Sequence, residues 1–111
     1  MKASLLVVLL GSLPCLGQAA ELPYRDPALP VEQRVSDLLS RMTLDEKLGQ
    51  MLMGGRDWVG PSQVKALNMG TLLSGGGSVP RPNTIAGWNA MMKGYQDAAR
   101  ETRLGIPVLY G

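Results

Sequence analysis

Thr71-Leu72-Leu73-Ser74-Gly75-Gly76-Gly77-Ser78-Val79-Pro80 and Arg103-Leu104-Gly105-Ile106-Pro107-Val108-Leu109-Tyr110-Gly111 are the stretches whose reading decides the fold. Thr71-Leu72-Leu73 reads as a short buried strand, and the Ser/Gly/Pro cluster that follows is a loop by composition. Ile106, Val108 and Leu109 form a second apolar run behind a Gly105–Pro107 boundary, the pattern of a strand buried on both faces. Between them lies the longest helical pattern. Asn83 or Thr84 caps it, it extends to about Thr102, and Gly105 closes it. Its inner face is Ile85, Trp88, Met91, Met92, Tyr95, Ala98 and Ala99. Strand, long crossover and strand make a parallel βαβ unit, so the fold class is α/β. A strand buried on both faces needs a neighbour on each side, so the pattern predicts further strands beyond Gly111.

Upstream, Glu21 to Pro30 carries Pro23, Pro27 and Pro30 and is expected to be an extended entry segment, with Tyr24 and Leu29 available to pin it down. Val31, Val35, Leu38, Leu39 and Met42 recur at helical spacing and predict a helix from about Val31 to Arg41 with one apolar stripe. Thr43-Leu44-Asp45-Glu46 is a capping box that opens a second helix. That helix is expected to carry Leu44, Leu48, Met51 and Leu52 inward and to end at Gly54-Gly55. Gly60-Pro61-Ser62 is a turn, with Ser62 placed to cap a short helix through Leu67 before Gly70 ends that unit.

The first residues explain much of the apolar composition. Lys2 is a minimal positive region, Leu5 to Leu10 an apolar core, and Gly17-Gln18-Ala19 a small-residue cleavage site. Residues 1–19 therefore read as a secretory signal peptide, too short for a stable membrane span, and the localisation expected is secreted or periplasmic. Cleavage after Ala19 removes the single cysteine, so no disulfide staples the remaining residues. The formal net charge is only +2 and there is no basic run, which argues against nucleic acid as a partner. No other apolar stretch reaches membrane length, so no membrane contact is expected after cleavage. The chain has no histidine, which argues against a metal site or a Ser-His-Asp triad within it.

Three separated stretches, in order, resemble glycoside hydrolase family three. Arg34 to Met51 resembles its opening, and Leu73-Ser74-Gly75-Gly76-Gly77-Ser78-Val79-Pro80 the glycine loop after the first barrel strand in its β-glucosidase and exo-β-glucanase branch. Trp88, Tyr95-Gln96 and Thr102 to Gly111 resemble the helix and strand that follow. The resemblance covers Tyr24 to Gly111. It implies that residues 31–111 are the first portion of a (β/α)8 TIM-type barrel, incomplete in this chain, because a whole barrel takes about 250 residues. It also implies a retaining hydrolase acting at the non-reducing end of β-glucosides, without a cofactor. In that family the strand ending like Val108-Leu109-Tyr110-Gly111 runs into a sugar-binding aspartate, and the nucleophile and acid/base lie later still. No catalytic residue is therefore assigned here, and these residues alone are expected to be inactive. A β-N-acetylhexosaminidase of the same family is the nearer alternative, although the triple-glycine loop favours the glucosidase. A small non-catalytic secreted binding module is the alternative from another class.

Within the chain the candidate site is the loop Ser74, Gly75, Gly76, Gly77 and Ser78, the rim of a substrate pocket. A loop after a parallel strand opens at the C-terminal face, where barrel enzymes bind their ligands. Bare backbone there lets a sugar approach; the plainer reading is a tight structural turn, which glycine's freedom alone accounts for. A phosphate loop is a poor fit because the lysine and the G-x-G-x-x-G order are missing. Retaining hydrolysis needs two carboxylates about 5–5.5 Å apart. Asp37, Asp45, Glu46, Asp97 and Glu101 instead fall on polar helix faces or caps, solvated or capping. Trp88 lies on the inner helical stripe and reads as core; Trp58, in a loop beside Arg56 and Asp57, stays open between burial and exposure.

Overall fold

The computed structural model describes residues 22–111. The signal peptide expected over 1–19 and the first residues of the entry segment lie outside the described residues. Four α-helices and three strands follow one 3₁₀ turn, Pro23–Arg25: α1 (Val31–Arg41), α2 (Leu44–Gln50), β1 (Met53–Gly55), α3 (Pro61–Ala66), β2 (Thr71–Leu73), α4 (Ile85–Arg100) and β3 (Leu109–Tyr110). The sheet has the order β1-β2-β3 and both pairings are parallel. Met53 stands beside Thr71, and Thr71 beside Leu109. The chain therefore makes two successive βαβ units, one through α3 and one through α4. A three-strand parallel sheet with intervening helices is compatible with a barrel segment and with other α/β folds.

The core forms where α3 and α4 meet the sheet. Val64 of α3 and Leu72 of β2 are fully buried, and Met69, Tyr95, Ala99 and Val108 close around them. Burying a side chain such as Leu72 or Val64 contributes about 1.5–3 kcal/mol each. The Tyr95 hydroxyl donates to the Val59 carbonyl at 2.8 Å, so its polar end is satisfied inside the core. Burial pushes that phenol's pKa upward. The Gln96 side chain donates to the Val108 carbonyl at 2.7 Å, tying α4 to the residue that leads into β3.

Local signals in the sequence place several elements as expected. α1 spans the predicted residues. Thr43 accepts from the Glu46 amide at 3.2 Å and Glu46 returns the bond to the Thr43 amide at 2.9 Å, completing the capping box. Thr84, through its side chain, caps α4. The entry segment departs from a simple extended run, because Pro23–Arg25 forms the 3₁₀ turn. There the buried Tyr24 donates its hydroxyl to the Leu104 carbonyl at 2.8 Å, while Arg34 of α1 donates to the Tyr24 carbonyl at 3.1 Å.

Other expectations are corrected. Gly54-Gly55 does not end α2. The helix stops at Gln50, and Gly54-Gly55 belong to β1, held by pairing with Leu72 and Leu73. Ser62 is not the cap of α3. Gly60 is the N-cap, and Gln63 accepts from both the Gly60 amide and the Ser62 hydroxyl. α4 ends at Arg100, two residues early, and turns continue to Gly105, whose φ is +63°. β3 is shorter than expected because Pro107 lacks an amide hydrogen for the ladder, and Leu109 faces out while Val108 is buried. Much of the stripes predicted to face inward on α1 and α2 is exposed: Val31, Val35, Leu39, Leu48 and Leu52, with Leu44 71% and Met51 81% accessible, while Leu38 and Met42 are half-buried. Their amphipathic spacing is present, but among the described residues only the turn Pro23–Arg25 packs closely on α1, and it leaves most of the stripe open. Ile85, the first residue of the predicted inner face of α4, is exposed as well.

Candidate functional site

Parallel pairing puts the C-terminal ends of the three strands at one edge of the sheet. The segments leaving them are Arg56-Asp57-Trp58 after β1, Ser74 to Ser78 after β2, and Gly111 after β3. Ligand sites of α/β proteins form at this edge. Backbone bonds lock the three exits together. The Arg56 amide donates to the Leu73 carbonyl at 2.9 Å, and the Ser74 amide to the Gly111 carbonyl at 2.9 Å.

The five residues singled out in the sequence occupy this edge, in distinct environments. Ser74 is half-buried and its hydroxyl is hydrogen-bonded to the Tyr110 hydroxyl. Gly75, Gly76 and Gly77 are exposed, and the Ser78 amide closes a turn on the Gly75 carbonyl at 2.9 Å. Only Gly77 has a left-handed backbone, with φ +84°. A side chain added at Gly75 or Gly76 would meet nothing within 4 Å. The tight-turn reading therefore accounts for Gly77 and leaves Gly75 and Gly76 as bare, open backbone. Ser78 is 6% exposed, so the far end of the loop is an anchor.

Arg56 holds that anchor. Its Nε donates to the Ser78 hydroxyl at 2.8 Å and its Nη2 to the Val79 carbonyl at 2.8 Å. The Ser78 hydroxyl in turn donates to Asp57 Oδ1 at 2.9 Å, which also accepts from Arg56 Nη2 at 3.1 Å. This network joins the loop after β1 to the loop after β2 across more than twenty residues of sequence. Sequence reasoning noted Arg56 and Asp57 only as neighbours of Trp58. The signal for them depends on recognising β1, which two glycines conceal. Trp58 resolves to full exposure, 88% accessible. Trp88 is half-buried rather than core: its ring meets Tyr110 edge to face at 6.5 Å, and its Nε1 donates to Asn83 Oδ1 at 2.8 Å.

The remaining acidic residues lie away from this edge. Glu46 caps α2 and is buried, bound by Arg103 at 2.6 and 2.9 Å, so the expectation of a solvated or capping carboxylate holds only in its capping half. Asp37 accepts from Arg41 and from the Tyr24 amide; the Arg41 hydrogen bonds, first, hold its carboxyl below the ordinary range. Among the described residues, no group of three or more His, Cys, Asp or Glu side chains is placed to hold a metal ion. A concavity of 530 Å³ lies beside the approach to β3, lined among others by Tyr24, Arg25, Arg34, Ile106 and Pro107. Ile106 and Pro107, which line it, precede β3, at the opposite end of that strand from the loop cluster. No protein-family model matches the chain, and no curated protein matches it.

Proposed function

We propose that these residues contribute the opening strands of a (β/α)8 barrel in a secreted or periplasmic retaining β-glucosidase, which hydrolyses O-glycosidic bonds at the non-reducing end of β-glucosides. The observation that carries this reading is the position of the Ser74–Ser78 loop. It leaves the middle of three parallel strands at their C-terminal edge and is bonded to the exits of both neighbours. The resemblance of the same loop, of Arg34 to Met51 and of Thr102 to Gly111 to glycoside hydrolase family three supplies the reaction class.

Under this reading the chain's own residues build a wall and do not cleave. Retention needs a nucleophilic carboxylate and an acid/base carboxylate about 5–5.5 Å apart. Asp57 is the only carboxylate in the rim network described above, and its Oδ1 is engaged by Arg56 and Ser78. Glu46 is committed to Arg103. The resemblance implies that both catalytic carboxylates follow Gly111 in the complete enzyme.

The test is a substrate panel on the product of the complete reading frame. Release of p-nitrophenol from the β-D-glucoside supports the proposal. Preference for the N-acetyl-β-D-glucosaminide turns it to a β-N-acetylhexosaminidase. Turnover of neither, together with a stop codon after Gly111, leaves the binding-module reading in its place.

A further inference from the structure

We propose that the concavity beside the approach to β3 binds a small organic phosphate on Arg25, Arg34 and Arg100, at a site independent of the reaction proposed above. The hydrogen-bonding groups around it leave donors over. Arg25 donates from Nε to the Tyr24 hydroxyl at 3.0 Å and from Nη2 to the Leu104 carbonyl at 3.2 Å. Arg34 donates from Nε to the Tyr24 carbonyl at 3.1 Å. The Leu104 carbonyl also accepts from the Tyr24 hydroxyl, so these acceptors are already engaged. A guanidinium has further N–H groups and no acceptor of its own. Nη1 of Arg25 and both Nη atoms of Arg34 have no hydrogen-bond partner among the described residues. Neither arginine is ion-paired among those residues. Arg100 reaches only Asp97, at 3.8 Å, and shares that carboxylate with Lys93.

The rest of the wall fits a charged group carried on an apolar body. Gly105 has φ +63°, and a Cβ there would lie 3.1 Å from Arg25 Nη2, so the glycine makes room for the guanidinium. Leu38, Ile106 and Pro107 add apolar surface, and among the described residues no carboxylate lines the space. Its 530 Å³ leaves room for an organic body beside the anionic group. Guanidiniums with unspent N–H groups on several sides match a phosphate monoester, which carries close to two negative charges near neutrality and several strong acceptor oxygens, better than they match a carboxylate. The site lies at the end of β3 away from the loop cluster, so its occupant does not compete with a sugar there.

Isothermal titration calorimetry of the complete gene product tests the site, with phenyl phosphate, inorganic phosphate and phenol as probes. Phenyl phosphate should bind saturably, inorganic phosphate about tenfold more weakly, and phenol not at all. Arg34→Gln should weaken phenyl phosphate about tenfold, and Arg34→Lys by less, because the ammonium keeps the charge and loses the fork. Arg34 also holds the Tyr24 carbonyl, so Arg100→Gln, at a side chain 63% exposed, gives a second reading that leaves that anchor in place. It should weaken binding severalfold. No saturable binding of phenyl phosphate to the wild type overturns the site. Unchanged affinity in folded Arg34→Gln and Arg100→Gln also overturns it, because the ligand then sits elsewhere. Equal affinity for inorganic phosphate overturns the organic class of ligand. Turnover of β-glucosides enters none of these readings, so the site and the enzyme reading fail separately.

Discussion

Arg103 donates from Nε to Glu46 Oε1 at 2.9 Å and from Nη2 to Oε2 at 2.6 Å, joining the first turn of α2 to the turn after α4 across 57 residues. The same guanidinium donates to the Arg41 carbonyl at 2.8 Å, so one side chain closes the end of α1, the start of α2 and the exit of α4. A bidentate pair of this kind is stronger than a single surface contact because geometry and charge act together.

The Glu46–Arg103 pair gives the fold an acid-sensitive term. The Arg103 hydrogen bonds first, and the Thr43 amide second, hold the Glu46 carboxyl at about 2, below its ordinary 4.5. A carboxyl whose pKa is depressed on folding stabilises the ionised folded state above its unfolded pKa. The contribution is full above about pH 5 and disappears as pH falls toward 2. Since Arg103 is 55% exposed, solvent screening keeps the contribution well below what the shift alone implies. Glu46→Gln should flatten the dependence of the thermal midpoint on pH across that window and lower the midpoint near neutrality. An unchanged acid slope in the variant counts against the pair.

Gly49 sits where α2 runs against the turn that leads into β2. A Cβ there would lie 2.8 Å from the Asn68 carbonyl oxygen and closer still to that of Leu67. Both are backbone atoms, and the Gly49 carbonyl accepts from the Gly70 amide at 3.0 Å, so neither side can give way easily. Gly49→Ala should destabilise by about 2 kcal/mol or more, read from the urea midpoint. A loss below about 0.5 kcal/mol, typical of an open surface site, contradicts this packing.

Within the glycine loop the three glycines should respond differently. Gly77 has φ +84°, so Gly77→Ala should cost about 1–2 kcal/mol through left-handed strain. Gly75→Ala and Gly76→Ala meet nothing within 4 Å and should leave stability within about 0.5 kcal/mol. Under the proposed function the latter pair should still impair sugar turnover in the complete enzyme. Equal stability losses at all three positions contradict the loop geometry.

Tyr24 anchors the entry segment through its hydroxyl, which donates to the Leu104 carbonyl and accepts from Arg25 Nε at 3.0 Å. Tyr24→Phe should cost about 0.5–1.5 kcal/mol, because the Leu104 carbonyl is left with only its bond from Arg25 Nη2 at 3.2 Å. Trypsin cleavage after Arg25 and Arg34 should accelerate accordingly. Unchanged cleavage rates contradict the anchoring role.

What was legible in the sequence was local. The Thr43–Glu46 capping box, the Thr84 cap, the span of α1 and the strand Thr71–Leu73 all depend on residues within a few positions of each other. What was not legible depends on distant partners. Met53-Gly54-Gly55 has little strand propensity and becomes β1 through its pairing with Thr71–Leu73. The clamp of Arg56 on Ser78 was hidden for the same reason, although the loop it holds was singled out. Amphipathic spacing identified the apolar stripes of α1 and α2, but spacing does not say what covers a stripe. Leu44, Leu48 and Met51 are left uncovered by the described residues.

The central claim is that these strands open the barrel of a retaining β-glucosidase. The most direct measurement is proton NMR of the anomeric signals while the complete gene product acts on cellobiose. The account predicts that the sugar released from the non-reducing end appears first as β-glucose and only later equilibrates to the α anomer. First appearance of the α anomer, or the absence of any glucose from the complete product, would contradict it.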